Sequence, residues 1–486
     1  MPWFALAALF AFRISSPVVD LDLFHQMALA REWFATGQFP RVDSFAFTPT
    51  VRPLMHHEWG AGVIAYAVTG TLGGTGLMAL KYAVGLLFAA LCVRLALRMG
   101  GRAATVLALG PIAVLLVGAG YGPIRAQAYS FLFAGVTLWC CERDRRGERR
   151  WLLLLPPLFV VWVNLHAGFV IGLLLLLIHS AELFLERRPA RHVLALVGVL
   201  VGAVALNPYG FAYYRHLARS LSQDRHLIME WDPIWSASVI LNQRWAFLLS
   251  LLFLGYGLAF GRARPRRGLL HLAAMGVLAL QHARMLPFYG MVWMAYTPAL
   301  LRGSLLSESA RRTLARWPAT AAAATGALGV AAAALLVDAR PWELRVPNEP
   351  LSPDANATLH YPVGAVNFLR SRDFHGAALT SFGAGSYVSW KLHPKVKVSL
   401  DSRFEAAYPY DLAERLIRLY QTGRGLQEVL SDYKPDVLLV PRESALASAS
   451  IPWRRVYQDP GFALYARPDL ALAPATAPVP TVDAFP

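Results

Sequence analysis

The chain has 486 residues, of which 56% are apolar and only 16% charged, and its formal net charge is +16. An ordinary soluble domain carries about a quarter charged residues. Uncharged runs such as residues 152–163, 170–178 and 248–260 therefore argue against a soluble globular protein and for a chain that lives in a bilayer. Nucleic-acid binding is excluded as well, because the arginine clusters are separated by apolar stretches rather than gathered on one face.

The first apolar segment, residues 2–12, reads as a membrane helix, since no small-residue cleavage site follows it before Asp20. Residues 20–58 form a polar loop that starts as a helix. Leu23, Met27, Ala30 and Phe34 recur at helical spacing, Trp33 is placed as an interfacial anchor, and Gly37 and Pro40 end the helix. Apolar segments follow at 59–73, 76–97, 103–120, 127–141, 151–165, 167–185, 192–206, 245–260, 269–282, 285–301 and 319–337. The expected fold is a membrane all-α, polytopic bundle of about 11–13 transmembrane helices over residues 1–337.

Beyond residue 341 the pattern changes to short apolar runs. Residues 377–380, 396–400, 437–440 and 462–465 read as buried strands, with helices over 363–370 and 411–422 between them. This predicts an external α/β domain over 341–470. The Pro/Ala-rich tail, 471–486, reads as disordered. There is no internal repeat and no phosphate-binding glycine loop.

Charge sets the expected topology. From Asp338 onward there are 16 Lys+Arg and 16 Asp+Glu, so all of the net charge lies before it. It concentrates at Arg143, Arg145, Arg146, Arg149 and Arg150, at Arg187, Arg188 and Arg191, at Arg262, Arg264, Arg266 and Arg267, and at Arg302, Arg311, Arg312 and Arg316. Such loops mark the cytoplasmic side, which places the C-terminal domain outside the cytoplasm. Loop 20–58 is external if 59–73 or 76–97 is re-entrant, and the Gly-rich stretch 69–76 favours that.

Three groups of polar residues could carry chemistry. Asp20 and Asp22 follow the first span; they suit divalent-cation binding or general-base work, and equally a helix N-cap. His56, His57 and Glu58 close the same loop, with Asp43 between the two groups. They could serve as acid and base or position a phosphate, or simply cap a helix; no second His follows Glu58 at the zinc spacing. His25 reads as interfacial. Asn164 and His166, at a tight turn between spans, either cap helix ends or line a cavity. Arg125 and Arg284, at span ends, could pair with a lipid phosphate or snorkel. Asp401 and Arg403 end a strand, as an acceptor contact or as a structural ion pair. Cys92, Cys140 and Cys141 fall in apolar runs and read as packing residues.

A first span, an acidic motif, an interfacial helix, many further spans and an external α/β domain together resemble the GT-C superfamily of membrane glycosyltransferases. Protein O-mannosyltransferases, aminoarabinose transferases and oligosaccharyltransferase catalytic subunits belong to it. Asp22 followed by Ala30-Arg31-Glu32 resembles the family's acidic motif. More specifically, an uncharacterised bacterial subgroup is resembled at Asp20-Leu-Asp22-Leu-Phe-His25, Pro40-Arg-Val-Asp43-Ser-Phe, His57-Glu58-Trp59, Trp162-Val-Asn164-Leu-His166, Asn207-Pro-Tyr-Gly210, Gly385-Ser-Tyr-Val-Ser-Trp390 and Leu400-Asp401-Ser-Arg403. The acceptor motif of oligosaccharyltransferases is missing; residues 381–387 stand loosely in its place.

The resemblance implies inverting transfer of a sugar from a polyprenyl-phosphate donor to a glycan, lipid or protein acceptor at the external face, among membrane lipids. Asp22 would be the base, with Asp20, Glu58 and His57 beside it. Asp43, His56, Arg125, Asn164, His166 and Arg284 are candidates for substrate binding. Asp20 and Glu58 are candidate ligands of a divalent cation such as Mg or Mn. Two other classes stand beside this reading: a non-catalytic envelope assembly or binding protein, and a lipid or solute transporter.

Overall fold

The computed structural model describes residues 2–222, 229–262, 267–316, 318–340, 342–349, 359–483 and 485–486. Arg264 and Arg266 lie outside the described residues. In chain order the helices of the first two thirds are α1 (Pro2–Arg13), α2 (Leu21–Thr36), α3 (Trp59–Arg98), α4 (Ala103–Val117), α5 (Gln127–Arg145), α6 (Leu155–Leu165) and α7 (Phe169–Leu185). Then come α8 (Arg191–Ala203), α9 (Ala212–Ser222), α10 (Leu241–Phe260), α11 (Leu269–Gln281), α12 (Leu286–Leu300), α13 (Leu305–Arg316) and α14 (Pro318–Ala339). The fold is mostly helical with a small mixed sheet.

Each apolar segment read from the sequence is helical. Among the described residues three helices are long and apolar enough to cross a membrane: Trp59–Arg98, Ala103–Gly120 (α4 with one further turn) and Leu241–Phe260. α1, α7, α8 and α11 are apolar but shorter. The stretches 59–73 and 76–97 are one run of helix broken at Gly73, whose φ of 64° and ψ of −162° are open to glycine and almost closed to other residues.

The chain divides into two compact units, residues 1–16 with 78–342, and residues 17–77 with 343–486. The sequence reading kept loop 20–58 with the helical bundle. Its packing partners are instead the strands and helices of the C-terminal segment.

The first unit is built around α12, which is buried on all sides except at Ala299, as an apolar helix with no polar face should be. Trp293 donates its indole N–H to the Ser250 carbonyl at 2.9 Å, and the Tyr289 and Ser250 hydroxyls meet at 2.9 Å. Gly290 lets α12 approach α4 closely, since a Cβ there would stand 2.8 Å from that of Leu116.

This unit also holds a buried ionic network. Arg145, counted with the exposed basic loop, has a fully buried side chain bonded to Glu182 at 2.6 Å and to Glu186, with Glu142 at 3.7 Å. Asp144 binds His192 at 2.6 Å and His179 at 3.0 Å. Tyr296 donates to Glu142 at 2.7 Å. The reason is helix length: α5 continues to Arg145, four residues past its apolar run, which carries these charges inside.

The second unit adds α15 (Val363–Ser371), α16 (Phe382–Leu392), α17 (Phe404–Ala407), α18 (Tyr410–Thr422) and α19 (Leu426–Tyr433). Its strands are β1 (Gly376–Leu379), β2 (Val396–Val398), β3 (Val437–Pro441), β4 (Arg454–Gln458) and β5 (Phe462–Ala466). They form one sheet in the order β2-β1-β3-β5-β4. β1 runs parallel to β2 and β3, while β5 is antiparallel to β3 and β4. The expected strands at 396–400 and 437–440 thus share a sheet.

Loop 38–57 extends that sheet. Phe47 N–H donates to the Val398 carbonyl at 3.1 Å, and Val398 N–H to that of Phe45 at 2.9 Å. The tail read as disordered is pinned to this unit. Ala475 N–H donates to the Val456 carbonyl at 2.8 Å, and Asp483 pairs with Lys391 at 2.6 Å and accepts from Tyr387 at 2.7 Å.

Candidate functional site

The second unit gathers five of the short motifs around α2. Asp20 caps this helix: its buried carboxylate accepts the Asp22 N–H at 3.0 Å. Gly37 closes the other end in the left-handed conformation, with its N–H on the Trp33 carbonyl. The capping reading of Asp20 is the one realised.

Capping fixes where the first turn points. Asp22 and Gln26 are one helical turn apart and share a face with His25. The Asp22 side chain keeps 35% of its exposure, and its Oδ1 lies 3.9 Å from His25 Nδ1, too far for a direct hydrogen bond. Gln26 donates its amide to Glu58. Glu58 Oε1 lies 3.7 Å from His57 Nε2, and both side chains remain partly exposed. His56 is buried behind them, its ring 5.8 Å from that of His25. The close approach that brings Glu58 to α2 needs Gly62, where a Cβ would meet the Gln26 carbonyl at 2.5 Å.

His25 is not interfacial. It is buried, and its Nδ1 lies 2.7 Å from Ser402 Oγ, which in turn meets Ser386 Oγ at 2.8 Å. Ser402 follows β2, and Ser386 sits on the helix after β1. These two strands are parallel, and ligand sites of open sheets form beyond the carboxyl ends of such strands. α16 lies along α2 here. Phe24 packs edge-on against Tyr387 at 5.2 Å, and the Arg31 guanidinium sits 4.3 Å over the Trp390 ring.

Asp43 is engaged by Arg403. Its buried carboxylate also accepts the Ala46 N–H at 2.7 Å. Arg403 also grips Asp401 through Nε at 2.9 Å and Nη2 at 2.7 Å. The structural reading of Asp401 and Arg403 is therefore the realised one. This triad ties loop 38–57 to the end of β2.

Electrostatics separates the groups. Burial, then the positive charge of Arg403 and the neighbouring His57, holds His25 well below the usual histidine range. Burial and the imidazoles of His25 and His57 do the same to His56. Both are neutral at pH 7. Burial alone would lower the Arg403 guanidinium, but Asp401, Tyr408 and Asp43 more than reverse it. Glu32 is pushed up by burial against a hydrogen bond from Ser44 that lowers it.

The arrangement offers two partly exposed carboxylates, Asp22 and Glu58, each beside an imidazole, over a buried neutral wall. It can take up or deliver a proton at the surface. Among the described residues no group of three or more His, Cys, Asp and Glu is arranged to hold a metal ion. No family model matches the chain, and no curated protein matches it.

The remaining candidates belong to the first unit. Asn164 donates to the carbonyls of Val160 at 2.7 Å and Leu206 at 2.9 Å, which fastens two helix ends together. His166 Nδ1 accepts the Gly168 N–H at 2.9 Å and meets Ser130 Oγ at 2.7 Å. Arg125 pairs with Glu230, and Arg284 lies 4.7 Å over the ring of Trp231, so these two arginines converge on neighbouring residues.

Sequence reasoning missed Gln26, Ser386 and Ser402, and misplaced His25. Ser402 lies inside the Leu400-Asp401-Ser-Arg403 motif and His25 inside the Asp20–His25 motif. The signal was that short motifs far apart in the chain carried small polar residues at fixed places.

Proposed function

We propose that the chain is a membrane glycosyltransferase with many spans, moving a sugar from a polyprenyl-phosphate donor to an acceptor hydroxyl at the external face. The observation that supports it is the Asp22 carboxylate, partly exposed at the start of a capped helix and backed by His25 at 3.9 Å. In this reading Asp22 takes the acceptor proton while the acceptor oxygen attacks the anomeric carbon and the polyprenyl phosphate leaves. Gln26, one turn further along α2, holds Glu58 in place. The leaving phosphate needs positive charge where its own develops; a Mg or Mn ion held beside the partly exposed Glu58 would supply it.

Lipid and glycan profiles of a deletion strain test the reading. Loss of one glycan species, with build-up of its polyprenyl-linked precursor, restored by the wild type and not by Asp22→Asn, is the expected outcome. An unchanged profile overturns it.

A transport reading draws on a different observation, the buried network of Asp144, Arg145, His179 and Glu182, because ionisable groups among apolar helices often mark proton or ion paths. Loss of function in Glu182→Gln with full function in Asp22→Asn would favour it.

A further inference from the structure

The sequence reading counts Arg262, Arg267 and Arg302 with basic loops and does not single out Arg102. In the first unit they line one cavity of about 490 Å³, together with Met99, Gly100, Tyr296 and Gly303. That volume is in the range of small-ligand sites. Four guanidinium groups at one cavity repel one another unless something negative offsets them. Among the described residues the only carboxylate paired with any of the four is Glu308, which binds Arg102 and is shared with Arg311 at 3.0 Å. One shared carboxylate leaves a large positive surplus.

Backbone adds to it. Arg102 is the residue before α4, a 15-residue helix with no acidic residue in its first turn and no side-chain cap. A basic residue there opposes the helix dipole, and the positive helix end reinforces the field of the arginines. Tyr296 forms part of the wall, but its hydroxyl is already bonded to Glu142, so the guanidinium groups are the available donors. The cavity sits at the ends of α4, α10 and α12. α4 and α10 are within two of the three segments long enough to cross a membrane, so the arginines stand where such segments end.

We propose that this cavity is a binding site for a phosphate-bearing anion, supplied by a lipid headgroup or from solution. Arginine suits it because its planar fork bonds two phosphate oxygens at once. On the topology proposed above it faces the cytoplasm, so it is distinct from the transfer chemistry assigned to the external face and does not depend on it.

The test uses the purified full-length protein in two arms. Native mass spectrometry of protein from mixed phosphatidylglycerol and phosphatidylcholine nanodiscs reads lipid retention, and calorimetry with sodium pyrophosphate reads soluble binding. The wild type should retain phosphatidylglycerol over phosphatidylcholine, or bind pyrophosphate; the first outcome assigns the headgroup and the second the soluble anion. The double variant Arg262→Gln/Arg302→Gln should weaken that binding roughly tenfold or more, since hydrogen bonds to charged groups are worth that much each. Arg262→Lys/Arg302→Lys, which keeps the charge and guards against misfolding of the first variant, should fall between. Arg149→Gln/Arg150→Gln, on another basic loop, should leave binding unchanged. Binding of neither probe by the wild type, equal binding by the glutamine variant, or equal loss in the Arg149/Arg150 control overturns the proposal.

Discussion

His25 and Ser402 are hydrogen-bonded at 2.7 Å although 377 positions separate them in the chain. Through this contact the first polar loop and the C-terminal α/β segment share one site. A hydrogen bond of this kind contributes about 1 kcal/mol net. A double-mutant cycle of His25→Ala and Ser402→Ala, read by thermal unfolding, should therefore give a coupling energy of about 1 kcal/mol. Strict additivity of the two single changes would show that the contact does not operate.

Arg403 is the strongest tie in the same unit. Its guanidinium is buried between Asp43 and Asp401, so removing it strands two buried carboxylates. Arg403→Met should lower stability by about 3–5 kcal/mol. Arg403→Lys should recover only part, because an ammonium cannot reproduce the two-pronged grip on Asp401. Chemical denaturation of the purified variants checks both values.

Gly385 is required by distance rather than by backbone angle. A Cβ there would stand 1.9 Å from the Leu400 carbonyl oxygen, too close for α16 to keep its place against the end of β2. Gly385→Ala should cost about 3 kcal/mol, at the upper end of overpacking. The neighbouring Gly383, with nothing within 4 Å of its Cβ position, should accept alanine with little change. Paired melting curves of the two variants make the comparison.

The buried imidazoles predict a pH dependence. Burial lowers His25 and His56 well below the usual value, so the unfolded chain binds protons that the folded one refuses. Above about pH 6.5 both states are neutral at these sites and the two groups contribute no slope. As pH falls below 6.5, stability should drop by up to about 1.4 kcal/mol per unit for each histidine, until the folded-state value is reached. His25→Asn should remove one histidine's share of that slope. Unfolding measured between pH 7 and pH 5 reads it directly.

How much of this the sequence reveals depends on the range of the interaction. Helices set by local apolar runs were readable, including the break near Gly73, because hydrophobicity and glycine act within a few residues. The strands 396–400 and 437–440 were readable for the same reason. Asp20, Asp22, His57 and Glu58 stood out because they are polar residues on one loop, but Gln26, which links α2 to Glu58, did not. What lay beyond local reading was pairing. Nothing near Asp43 in the chain announces Arg403, and nothing near His25 announces Ser402. The tail looked disordered by composition, yet Asp483 is held by Lys391 and Tyr387. Arg145 looked like a loop charge because two of the carboxylates that bury it, Glu182 and Glu186, lie on another helix and at its end.

Asp22 carries the proposed chemistry, and turnover of the purified protein reads its role. Purified wild-type protein and Asp22→Asn, reconstituted with a polyprenyl-phosphate-linked hexose and a membrane extract as acceptor source, are compared for release of polyprenyl phosphate. Loss of a general base costs about 10²–10⁴-fold in rate, whereas a change at a partly exposed carboxylate shifts stability by under about 0.5 kcal/mol. The expected release rate is at least about 100-fold lower in the variant, with an unchanged melting temperature. Equal release by both proteins, or no release by the wild type, would contradict it.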